Sequence, residues 1–212
     1  MRIGSEEAGR WPIARSAGGA GGISVGGART QGSSRRSERR LIRAAQDGSE
    51  EALEGLFRRH WPLAHRAAYL VVRDAAAAED IAQESFLSAL RALDGFDRRR
   101  PFGPWLHRIV VNRAIDWSRA RKLRGEVSAE VEERPEPASL GAPMRTAAFS
   151  EDVGDALAGL DPERRAIVVM RYLLEFTPGE IAEALDLPRG TVNSRLRRAL
   201  DQLGERLGSE EA

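Results

Sequence analysis

The chain has 212 residues, enough for one medium domain or two small ones, and its 33 basic and 32 acidic residues leave a formal charge of only +1. The absence of cysteine excludes disulfides, thiolate metal sites and cysteine nucleophiles, and leaves any redox signal to enter through a partner. His60, His65 and His107 are scattered without a ligand cluster, and no apolar run approaches the roughly 18–20 residues of a membrane span, so no metal, cofactor or membrane insertion is expected.

Residues 1–37 are rich in Gly, Ala, Ser and Arg, with Gly-Gly pairs at 18–19, 21–22 and 26–27. Such a segment buries too little apolar area to offset chain entropy and is predicted to be a disordered tail. It has no apolar h-region, so it does not read as a signal peptide, and a cytoplasmic location is expected. From residue 38 to 121 the pattern is helical. Leu53, Leu56 and Phe57 recur at i, i+3 and i+4, and Leu63, Ala67 and Leu70 continue the stripe. Asp74 is placed to cap a helix that starts on the alanine run 75–78 and breaks at Asp94-Gly95. A loop leads to Pro101, and a further helix is predicted from about Pro104 to Arg121.

Residues 122–149 lose the periodicity and gain Pro135, Pro137, Gly141, Pro143 and many acids. They read as a flexible acidic linker, too long for an ordinary loop inside a compact domain. A second helical unit is predicted over 150–207, with a short tail at 208–212. In it Asp161-Pro162 is a cap followed by proline in the first turn, and Ile167, Val168 and Met170 supply core. Thr177 and Glu180 form a capping box for a short helix over 178–185. Asp186-Leu187-Pro188 ends that helix, and a last one begins near Arg189 and Gly190. No strand pattern occurs. The expected fold is all-α, two small helical domains joined by an acidic flexible linker.

The charge is unevenly placed. Residues 98–124 carry nine basic residues and the single acid Asp116, a net +8, whereas residues 125–152 carry a net −5. A basic block beside an acidic one reads either as a polyanion-binding surface next to a solvated linker or as wet helix faces. The helices at 178–185 and 190–205, joined by a short turn, have helix-turn-helix spacing. Val192, Leu196, Ala199, Leu200 and Leu203 form the predicted buried stripe of the second helix; Thr191, Ser194, Arg195, Arg198 and Gln202 lie on the other face. In this motif the start of the second helix enters the major groove, which places Arg189, Thr191, Asn193, Ser194 and Arg195 at base edges and Arg197 and Arg198 at the backbone. The spacing alone leaves open a purely structural helical hairpin.

The segment GEIAEALDLPRGTVNSRLRRALDQL resembles the C-terminal DNA-binding domain of sigma-70 family factors, especially the extracytoplasmic-function (ECF) group. LAGLDPERRAIVVMRYLLEFT is similar to the helix that precedes it there. AEDIAQESFLSALRAL and PFGPWLHRIVVNRAIDWSR resemble the family's first domain. The resemblance covers about residues 38–121 and 150–207. It implies a sigma factor that binds core RNA polymerase through its β′ and β subunits, reads the promoter −10 element with the first domain and −35 with the helix-turn-helix, and is held inactive by an anti-sigma factor. Nucleoid association is expected when it is bound to polymerase.

The family roles fall on particular residues. In the helix after Asp74, Ala82, Phe86, Ala89, Leu90 and Leu93 make the core stripe, and Asp80, Gln83, Glu84, Leu87 and Arg91 the opposite face. A leucine among polar residues reads either as a partner surface or as a solvated face with one stray apolar residue, and the resemblance favours the first, assigning Asp80, Gln83, Glu84 and Leu87 to the polymerase β′ clamp helices. For −10 reading and opening it points to Arg98, Arg99, Arg100, Asn112, Arg113, Asp116 and Arg119: arginines for phosphates, an amide for a base, and Asp116 to orient Arg113 or Arg119. Trp105 and Trp117 could stack on bases but read first as packing residues. Asn193 departs from the family, which often has Lys or Arg at the GTVxSR position, and that puts one backbone contact in doubt. A stand-alone helix-turn-helix regulator is the alternative, but it has no use for the first unit. An enzyme finds no support, since Glu50-Glu51 and Glu132-Glu133 stand without a nucleophile, metal cluster or phosphate loop.

Overall fold

The computed structural model describes residues 28–125 and 151–209. Most of the proposed tail and nearly all of the linker lie outside the described residues. The first unit comprises α1 (Ala28–Gln46), α2 (Glu50–Val72), α3 (Ala75–Arg91), a 3₁₀ turn (Leu93–Gly95) and α4 (Phe102–Leu123). The second comprises α5 (Glu151–Ala158), α6 (Pro162–Val168) running into a π turn (Val169–Leu173), α7 (Pro178–Leu185) and α8 (Arg189–Ser209). Among the described residues there is no strand.

The helix starts follow local chemistry. Ser49 accepts from the Ala52 amide at the head of α2, with Glu50 and Glu51 favourably placed against the helix dipole. Asp74 does the same for Ala77 and Asp161 for Arg164. The Thr177–Glu180 capping box is complete. One boundary differs from the expectation: α1 begins at Ala28, so part of the proposed tail is helical. Its downstream end is anchored by buried Glu38 and Ile42, and extending an anchored helix through Arg-rich sequence needs no new nucleus.

Ile42, Leu56, Val71, Phe102, Leu106, Val110 and Val111 are fully buried in the first unit. Fully buried alanines (Ala64, Ala67, Ala68, Ala78, Ala82, Ala89, Ala114) let its helices approach closely. A polar cluster locks α1 to α2 and α4. Glu38 Oε1 lies 3.0 Å from His60 Nε2. Burial alone would raise the Glu38 carboxyl, but the hydrogen bond and charge of His60, with Arg59 and the Phe102 backbone, hold it below the usual carboxylate range. Gly103 gives room for this, since a Cβ there would sit 3.3 Å from the His60 ring.

Leu157, Ile167, Val169, Met170 and Ile181 are fully buried in the second unit. The two units share one continuous core, with α6 packed against α2 and α4, and α7 touching α4. Buried Arg165 fastens this junction. Its Nη1 donates to the Val71 carbonyl at 2.8 Å, and its Nη2 to the carbonyls of Leu160 at 2.8 Å and Ala158 at 3.3 Å. Arg73 pairs with Asp155 at 3.0 Å beside it.

Candidate nucleic-acid and polymerase interfaces

The helix-turn-helix forms as the sequence predicts. Asp186 ends α7 in the left-handed conformation (φ 52°), which a short polar residue tolerates. The amides of Thr191 and Val192 then donate to the Pro188 carbonyl and start α8. Val192 and Ala199 are fully buried and Leu203 nearly so, with Leu196 half-buried. Leu200 corrects the predicted stripe. It is 39% exposed, because the buried line follows 192, 196, 199 and 203 and leaves Leu200 beyond its edge.

Arg189, Asn193, Arg197 and Arg198 are exposed on α8, and Arg189, Asn193 and Arg197 share one face at intervals of four. Thr191 and Ser194 are half-buried, and the Ser194 hydroxyl donates to the Thr191 carbonyl at 3.0 Å. Two residues placed on the outward face turn inward. Gln202 donates to the Gly159 carbonyl at 3.0 Å, and Arg195 Nη1 lies 2.6 Å from Glu163 Oε2 at the start of α6.

In the first unit Asp80, Gln83, Glu84 and Leu87 are all exposed on α3, Leu87 by 51%. Gln83 donates to Glu79, and Glu84 is paired with Arg113, which also donates to Ser88 Oγ at 2.7 Å. Arg113 therefore belongs with the α3 face rather than with Asp116. Arg98 and Arg99 are exposed and Arg100 half-buried. Their loop is shaped by Asp97, whose side chain accepts from the Arg99 amide and whose carbonyl accepts from Arg100. Trp105 packs on Phe96 and Phe102, and Trp117 is half-buried under Arg121, consistent with packing roles.

Of the other three candidates for −10 reading, Asn112 and Arg119 contact the second unit, and Asp116 is exposed beside Arg119. Asn112 Nδ2 donates to the Ala184 carbonyl at 3.2 Å. Arg119 lies 3.6 Å from Asp116 and 2.7 Å from Glu163 Oε1. With Arg195 these residues line a cleft of about 190 Å³. Glu163 thus bridges an arginine of each predicted DNA-reading set. The hydrogen bond from Arg119 holds its carboxyl below the ordinary glutamate range, against the effect of burial, with the charges of Arg119 and Arg195 adding to it. Sequence reading missed Glu163 and Arg165. An acid in a first helical turn looks only like a dipole partner, and nothing local marks an arginine for burial.

Two family models match this chain: Sigma-70 region 2 over residues 56–124 and Sigma-70, region 4 over 150–203. The chain is 36% identical over 173 residues to the ECF RNA polymerase sigma factor SigM of Mycobacterium tuberculosis, covering 82% of this chain and 86% of that one. It is 29% identical to SigW of Bacillus subtilis, covering 80% and 96%. Among solved structures it resembles CnrH in complex with the cytosolic domain of CnrY, with a TM-score of 0.58 and 27% identity over 81% of this chain and 97% of that one. The sigma factor RpoE of Bartonella quintana, solved with the anti-sigma factor NepR, shares the fold at a TM-score of 0.56 and 22% identity, covering 73% and 96%. The chain belongs to the ECF group of sigma-70 RNA polymerase sigma factors.

Proposed function

We propose that this sigma factor binds core RNA polymerase through the exposed α3 face and places it on promoters at two points, acting by binding and not by catalysis. The loop 97–101 and α4 take the −10 strand, and the start of α8 takes the −35 duplex. The observation that carries the reading is that region 2 and region 4 occur in order on one chain, with an exposed arginine face on α8. A stand-alone regulator would need only the second of these. The complexes of CnrH with CnrY and of RpoE with NepR support an anti-sigma partner here as well.

The test is transcription in vitro with purified core enzyme on a library of genomic fragments. Discrete start sites that require the chain are expected. Asp80→Arg combined with Leu87→Ala should weaken association with core enzyme in gel filtration without loss of helicity. If the unaltered chain never co-elutes with core enzyme and yields no start sites, the reading fails.

A further inference from the structure

We propose that the arginine line of α1 is a further backbone-gripping surface for opened promoter DNA, taking the strand where it leaves the loop 97–101 on the side away from the −35 contact. The identity of that strand rests on the functional reading above; the binding surface does not.

Arg35, Arg39 and Arg43 stand at intervals of four along α1 and are all exposed, with exposed Arg36 beside them. The adjoining face of the helix is fixed by buried Glu38 and Ile42. Gln46, two turns on from Arg39, donates to the carbonyls of Leu93 at 2.8 Å and Phe96 at 3.1 Å. Those bonds turn the arginine line toward the loop, and Arg39 Nη2 reaches the Arg99 carbonyl at 3.4 Å. Arg35, Arg39, Arg99 and Arg100 thereby share the wall of a cleft of about 80 Å³ with Glu38 and Pro101. Glu38, the one acid among these residues, is turned to His60 at 3.0 Å. The Asp97 carboxylate is taken up by the Arg99 amide at 2.9 Å. The mouth of the cleft is therefore cationic, and a row of guanidiniums suits phosphates. Phe96 and Phe102, beneath the loop, are buried, which leaves the backbone of a strand rather than its bases for the arginines to hold. The second unit meets α4 at Asn112 and Arg119, whereas the loop lies at the other end of that helix. A strand that passes from α8 along α4 to the loop meets α1 next.

The test titrates a short fluorescein-labelled single strand of mixed sequence with the full chain, by anisotropy, over a series of salt concentrations. Arg35→Gln, Arg39→Gln and Arg43→Gln together should reduce the salt slope by roughly 2, at about 0.7 per phosphate contact. Glutamine has a helix propensity close to that of arginine, and Glu38 and Ile42 still anchor α1, so the thermal midpoint should not move. Arg58→Gln, exposed on α2 and paired with Glu54, should leave the slope as it is. An unchanged slope in the triple variant overturns the proposal, and so does a comparable fall per charge in Arg58→Gln. An unchanged slope with loss of co-elution with core enzyme would make the line a polymerase contact and overturn it too. On a promoter mapped for this factor, neutral methylphosphonates in the non-template strand just past the −10 element should shorten the lifetime of open complexes made with unaltered protein. They should have no further effect with the triple variant, and equal sensitivity of both proteins would overturn the assignment of the strand. If no start sites are found, the sigma reading fails, while the salt slope still decides whether α1 binds single strands.

Discussion

Arg165→Met is the sharpest perturbation of the junction between the two units. Burial, with the charge of Arg73, pushes the Arg165 guanidinium down to about 10 despite the opposing pull of Asp161, so it stays charged at neutral pH. Among the described residues its three hydrogen bonds go to carbonyls and not to a carboxylate: Val71 at the end of α2, and Ala158 and Leu160 at the end of α5. Helix ends leave carbonyls without intrahelical donors, and a cation beside them is favoured by both dipoles. Methionine keeps much of the apolar stem and removes every donor. Bonds from a charged donor contribute about 1.5–3 kcal/mol each, partly offset by the relief of no longer burying a guanidinium, so a loss of about 2–4 kcal/mol is expected. Urea denaturation followed by far-ultraviolet circular dichroism measures it. Tryptophan fluorescence adds a second probe, because three of the four tryptophans, Trp61, Trp105 and Trp117, lie in the first unit. In Arg165→Met the two probes should no longer coincide, the second unit melting first. A loss below about 0.5 kcal/mol with coincident transitions would refute the view that Arg165 couples the units, since the bonds would then contribute no more than an average surface contact.

Three further outcomes follow from the same geometry. His107 is pushed down to about 3, first by burial and then by the charge of His60; between about 3 and 6.5 the unfolded chain binds a proton there that the folded chain does not. Stability should thus fall as pH drops below 6.5, by up to about 1.4 kcal/mol per unit, and His107→Gln should flatten the slope of thermal midpoint against pH. Arg189→Ala with Arg197→Ala should reduce the salt slope of duplex binding by roughly 2 if both meet phosphates, and an unchanged slope would remove them from the interface. Thr177→Ala breaks the capping box of α7 and should cost about 1 kcal/mol in the second unit, read from its urea midpoint.

What was legible in the sequence was local. Asp74, Asp161 and Thr177 each cap an amide three residues on, so a short window carries the whole signal. The core stripe of α8 was legible to within one residue, Leu200, because periodicity fixes a line but not its width. What escaped was tertiary. A polar face at helical spacing says nothing about whether water or another helix covers it. Gln202 and Arg195 were placed outward by period alone and are turned to α5 and α6 by a neighbour. The start of α1 was misplaced for the same reason: its anchor is the Glu38–His60 contact across more than twenty residues, which composition cannot register.

The same blindness explains why the pattern picked out Arg119 and Arg195 as DNA contacts while the structure pairs both with Glu163. Sequence rules for phosphate binding select arginines on accessible helix faces, and a carboxylate selects them by the same charge and the same donor fork. The expectation and the structure single out the same arginines, and the partner the structure shows for them is Glu163. They also divide the arginines into two sets. Arg98, Arg99, Arg189, Arg197 and Arg198 are exposed while the units are together. Asn112 and Arg195 are half-buried against Ala184 and Glu163, whereas Arg119 is paired with Glu163 and stays 60% exposed.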